Sequence, residues 1–137
     1  MLTITKEFTF DSAHKLVDGY VGACENLHGH TYHLFVTLGY NKSKFKSELA
    51  SLNRFGMLFD FKELKQIWKE KIEPLVDHQY LNDSFERQPT AELMALRFYE
   101  LFNQELDNSK YMITEIKLYE TPTSYATYTP EAKVFKK

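Results

Sequence analysis

Leu2, Ile4, Phe8 and Phe10 fall on one parity, and Thr3, Thr5, Glu7 and Thr9 on the other. Alternation of period two predicts a strand with one wet face. A second strand is expected from about Leu27 to Tyr40, where Tyr32, Leu34, Val36 and Leu38 share a parity. Asn41 to Gly56 is polar and reads as a long connection, with a helical turn around Phe45 to Leu52. Asp60 can cap a helix, with Glu63 as its capping-box partner. Phe61, Leu64, Ile67, Trp68 and Ile72 form the helical stripe, and Pro74 lies just beyond it. A second helix is predicted to start near Thr90, with Glu92 in its first turn, where the helix dipole favours an acid. Ala91, Met94, Ala95, Phe98, Leu101 and Phe102 then recur at helical spacing. Asp107 to Lys110 is a turn. Ile116 and Leu118 alternate in a third strand ending near Glu120, and Ser124 to Thr129 is a fourth.

The order β-β-α-α-β-β predicts an α+β fold, a four-stranded antiparallel sheet with two helices on one face. With no repeat, low-complexity tract or linker, a single domain over residues 1–137 is expected. Such a sheet has two open edges, which need a cover. Edge pairing between copies would supply it and predicts a homo-oligomer.

Composition narrows the classes. Apolar residues make up 43% and charged residues 26% of the 137, a globular balance. The aromatic share of 15%, with eleven Phe and nine Tyr, suits a thin sheet packed on few helices. Formal net charge is −2, and Lys42 to Lys46, the most basic stretch, is short and reads as a solvated loop, so no nucleic-acid partner is expected. One cysteine permits no internal disulfide and fits a reducing compartment. The segment MLTITKEFTF lacks the apolar block of a signal peptide, and no apolar run approaches membrane-spanning length. A cytoplasmic protein with no membrane partner is expected.

The candidate chemistry centres on histidine. His28 and His30, two apart at a strand start, project from one face, and His14 beyond the first strand can reach the same point if the two strands pair. Three neutral imidazoles plus an open position is the arrangement of a catalytic zinc site; hydrogen bonding at strand ends is the plainer alternative. His33 has the opposite parity and reads as structural. Cys24, four residues before His28, fits a fourth ligand closing the metal shell, a metal-acidified thiol acting as base, or a small buried hydrophobe. Asp77-His78 offers an imidazole whose tautomer a carboxylate fixes, although a surface pair is the default for one dipeptide. Glu120 shares the parity of Ile116 and Leu118, so it needs a partner: a ligand with several N–H groups, or an internal arginine.

These pieces together resemble the 6-pyruvoyl-tetrahydropterin synthase and 6-carboxytetrahydropterin synthase family. The motifs run in the family's order: Phe10-Asp11-Ser12-Ala13-His14; Cys24-x-x-x-His28-Gly29-His30-x-Tyr32; Met57-Leu58-Phe59-Asp60-Phe61; Asp77-His78-Gln79-Tyr80; Pro89-Thr90-Ala91-Glu92; and Leu118-Tyr119-Glu120-Thr121. The resemblance implies the T-fold, assembled as trimers that pair into a hexameric barrel with active sites between subunits. It implies a lyase acting on 7,8-dihydroneopterin triphosphate, with zinc on His14, His28 and His30. Cys24, Asp77 and His78 resemble the family's proton-transfer residues, Glu120 its pterin anchor, and Thr90 and Glu92 positions near the substrate pocket. The spacing from Cys24 to His28 resembles the bacterial 6-carboxytetrahydropterin synthases of the queuosine pathway. Glu25, directly after Cys24, resembles a subgroup that releases 6-hydroxymethyl-dihydropterin for folate synthesis; a loop carboxylate facing water is the plain reading. The motifs are also compatible with the pyruvoyl product, and with a non-enzymatic metal-dependent protein in which Cys24 closes the zinc shell.

Overall fold

A computed structural model of the chain describes residues 1–16, 19, 22, 27–85 and 88–131. The alternating segments form four strands, β1 (Ile4–His14), β2 (His28–Tyr40), β3 (Tyr111–Thr121) and β4 (Ser124–Tyr128), in one sheet. Their spatial order is the chain order, and every neighbouring pair is antiparallel. The first strand runs further than its apolar alternation signalled, so His14 is its last residue and pairs directly with His28. Ala13 and His14 are less obvious strand formers than Phe8 and Phe10. Pairing with β2 carries the strand on through them.

On the inner face, Phe8, Phe10, Tyr32, Leu34, Ile116 and Leu118 are buried under the helices. Ile113 is buried too, although its number has the opposite parity from Ile116. A register shift opposite Thr37 and Leu38 adds one residue to β3 between them, which brings both side chains inward. Three aromatic rings, Phe8, Trp68 and Phe102, stack through the layer, with Phe8 4.8 Å from Trp68 and 5.7 Å from Phe102.

Two helical stretches cover that face, as the pattern predicts, but the first is longer than expected. Asp60 caps α1 (Phe61–Ile67) by accepting from the Lys62 amide at 2.9 Å. Instead of ending before Pro74, the chain passes through a π-helical turn, Trp68–Ile72, into α2 (Glu73–Val76) with Pro74 in its first turn. The wide turn has already interrupted the i to i−4 ladder, so the missing proline N–H breaks no bond. A one-turn helix, α3 (Leu81–Ser84), follows and had no clear signal in the sequence. Between Asn41 and Gly56 the expected helical turn is a single 3₁₀ turn, Leu49–Ser51. Glu48 beside it accepts from the Leu2 amide and the Tyr40 hydroxyl, each at 2.7 Å.

Thr90 caps α4 (Ala91–Asn103), its hydroxyl accepting from the Leu93 amide at 3.2 Å. Thr90→Ala is expected to cost about 1 kcal/mol, the usual value of an N-cap side chain. A lower urea midpoint with an unchanged slope would register it. Among the described residues no helix is long and apolar enough to cross a membrane.

Candidate metal centre

Antiparallel pairing brings the histidines together. Ser12 pairs with His30 and His14 with His28, so the three imidazoles come from the facing ends of two neighbouring strands, on one side of the sheet. Their ring centroids lie 4.5 Å (His14 to His28), 4.7 Å (His28 to His30) and 5.2 Å (His14 to His30) apart. His28 stands nearly perpendicular to both neighbours, at 90° and 89°. Edge-on rings of this kind can aim their nitrogens at a common point.

Glu120, near the end of β3, joins them. Its Oε1 lies 3.3 Å from His14 Nε2 and 3.0 Å from His30 Nε2. One donor atom from each of His14, His28, His30 and Glu120 can be chosen so that all lie within 4.8 Å of one another. His30 Nε2 is a buried atom that makes no hydrogen bond, although Glu120 Oε1 lies 3.0 Å away. A close donor set that includes a buried nitrogen without a hydrogen bond fits a cation. Three imidazole nitrogens and a carboxylate oxygen this close together also match the ligand chemistry of zinc.

Charge states agree with that fit. Burial holds His30 below the ordinary imidazole pKa, opposed by the Glu120 carboxylate and reinforced by His14 and His28. Neutral imidazole is the ligating form. The hydrogen bond from His14 keeps Glu120 below the usual carboxylate range; burial works against this, and His30 adds to it. Tyr32, wholly buried beneath the cluster, is pushed far above the ordinary phenol value by burial first and Glu120 second. It stays a neutral hydroxyl, 2.7 Å from His14 Nδ1.

Asp77 and His78 do not join the imidazoles. They form a second cluster with Asp11, beside the outer face of the sheet at the free edge of β1. The Asp11 amide donates to Asp77 Oδ1 at 3.1 Å, and Asp77 Oδ2 lies 3.0 Å from His78 Nδ1. Burial would raise the Asp77 pKa, but the Asp11 amide and His78 outweigh it, and the net shift is downward. His78 has a φ of +54°, the one positive value among the described non-glycine residues. Its amide donates to the Asp11 carbonyl at 2.6 Å and the Ala13 amide donates to Gln79, so the strand edge holds this strained residue in place. Strain of this kind is kept where the surroundings over-determine it, often at functional sites. A groove of about 750 Å³, whose lining includes Gly29, His30, Thr31, His78 and Tyr80, reaches residues of both clusters.

His33 faces away from the imidazoles, as its parity predicts, and pairs with Glu7 at 2.7 Å. Thr90 and Glu92 lie at the start of α4 outside both clusters; Thr90 is engaged as the cap and Glu92 is exposed. Cys24 and Glu25 lie outside the described residues. Two contributors were missed by sequence reasoning. Tyr32 stood in the motif as an aromatic without a role, and its strand parity with His28 and His30 was the available signal. Asp11, also inside a motif, offered none, because its partner Asp77 is 66 residues away.

Comparison with known proteins decides the family. The family model for 6-pyruvoyl tetrahydropterin synthase matches residues 3–131. The chain belongs to this family. Within the pterin synthases it is 37% identical to the 6-carboxy-5,6,7,8-tetrahydropterin synthase of Haemophilus influenzae over 149 aligned positions, covering 93% of this chain and 99% of that one. It is 31% identical to the Synechocystis protein of the same name, with 93% of each chain covered. The 6-pyruvoyl tetrahydropterin synthase structure from Caenorhabditis elegans superposes with a TM-score of 0.76 at 24% identity, over 95% of this chain and 96% of that one. At that identity the superposition speaks for the fold, the antiparallel sheet and helices of the T-fold.

Proposed function

We propose that the chain is a zinc-dependent synthase that converts 7,8-dihydroneopterin triphosphate to 6-carboxy-5,6,7,8-tetrahydropterin. The observation that carries this is the convergence of His14, His28 and His30 with Glu120 on one small volume. The carboxylated product is favoured over the pyruvoyl and hydroxymethyl ones by the names of the Haemophilus and Synechocystis relatives.

In this reading the three imidazoles hold the zinc. Bound there, zinc supplies a Lewis acid for the side-chain oxygens of the substrate. Cys24, shortly before His28 in the chain, takes the proton from the side-chain carbon as a thiolate. His78, its ring steadied by Asp77, moves a second proton. Glu120 is ionised and turns from the imidazoles to accept from two adjacent N–H groups of the pterin, a paired, charge-assisted match. Thr90 and Glu92 belong to the rim of the pocket. Because Asp77 and His78 sit beside the face opposite the imidazoles, dyad and metal act together across a boundary between copies. A homohexamer would provide that boundary and cover both sheet edges.

The test is to load purified protein with zinc, incubate it with dihydroneopterin triphosphate and identify the products by mass. The carboxytetrahydropterin is the expected product. Accumulation of the hydroxymethyl pterin instead, lost in Glu25→Ala, would assign the folate-type reaction, and no turnover at all would remove the synthase reading.

A further inference from the structure

His14 meets a different neighbour at each ring nitrogen. Nε2 faces Glu120 at 3.3 Å and Nδ1 faces the Tyr32 hydroxyl at 2.7 Å. Tyr32 is 0% exposed and His14 2%. The Tyr32 ring lies flat against Phe10, with centroids 4.8 Å apart and planes 7° from parallel. Phe10 is held in turn by Trp68 and Phe98, each ring 5.8 Å away. The hydroxyl is therefore a fixed point, carried on a ring with no room to swing and shielded from competing water.

A neutral imidazole carries one N–H, and the group facing each nitrogen decides which one. With Nε2 donating to Glu120, Nδ1 is bare and needs a donor. With Nε2 on a metal ion, the proton must sit on Nδ1, which then needs an acceptor. A carboxylate or carbonyl could only accept, and an amide N–H could only donate. A hydroxyl does both, so it can satisfy His14 in either state without moving its oxygen.

We infer that Tyr32 is a positioning residue of the metal site, its hydroxyl fixing the His14 ring and matching its proton in both states. It donates to Nδ1 when the metal is absent and accepts from Nδ1–H when Nε2 is a ligand. The inference rests on the three-imidazole reading above. It makes Tyr32, which touches neither metal nor substrate, a determinant of metal affinity.

Tyr32→Phe keeps the ring and its stacking and deletes only the hydroxyl. Measured with zinc alone against a competing chelator, affinity is expected to fall about 10- to 100-fold, as for other partners of ligating histidines. The far-UV circular dichroism of the metal-free protein should match the parent. A purely structural role for the ring would leave affinity within about twofold of the parent, and that result overturns the inference. Nitrogen-15 imidazole spectra of the zinc-loaded parent give a second readout. They should show zinc on His14 Nε2 and a hydrogen-bonded proton on Nδ1. Zinc on Nδ1 overturns the inference whether or not the variant folds. A parent that binds no zinc removes the three-imidazole reading itself, and Tyr32's role with it.

Discussion

His14→Ala is expected to weaken zinc binding by more than about 100-fold, beyond the range for losing a partner one shell further out. His14 supplies one of the converging donors and is the most buried of the three, at 2% exposure. Its place is set by the pairing of β1 with β2, which puts it opposite His28. The change also strips the partner from a buried hydroxyl, that of Tyr32. An unpaired buried group costs about 1–3 kcal/mol, so the metal-free variant should unfold at lower denaturant than the parent. Elemental analysis of purified variant and parent, with a denaturation curve for each, checks both effects. Full zinc occupancy in the variant would mean that His14 is not a ligand.

Phe10→Ala is expected to have the largest effect on the fold, a loss of about 3–5 kcal/mol. The ring is 2% exposed and touches Tyr32, Trp68 and Phe98, so its removal leaves a cavity bounded by other rigid rings that collapse poorly into it. A loss of this size is a large fraction of the stability of an ordinary domain. The same change frees the Tyr32 ring on one side, so metal affinity should fall with stability. Urea denaturation gives the first quantity and chelator competition in the folded baseline the second. A stability within about 1 kcal/mol of the parent would show that the aromatic layer repacks, contrary to this account.

These two residues show how far the sequence reaches. Four strands, their inward residues and two helical stretches follow from periods of 2 and 3.6, because burial on one face imposes those periods. The spacing of His28 and His30 puts both on one face for the same reason, and the order of motifs along the chain points to the pterin synthase family. Local chemistry also locates the cap at Asp60 and the start of the second helix near Thr90.

What the sequence leaves open depends on distances between residues far apart in the chain. Register places His14 opposite His28, Glu120 against His14 and His30, and the Tyr32 hydroxyl under His14. The strand-edge bonds that hold Asp77 and His78 against Asp11 carry no local signal and put that pair apart from the imidazoles. The helix running past Pro74 escaped prediction for a related reason. Proline ends a regular helix, but a π-helical turn packed into the core removes the bond that proline would have broken. Periodicity is a property of neighbours along the chain and can be read from it. The site is a property of neighbours across it, and only packing brings them together.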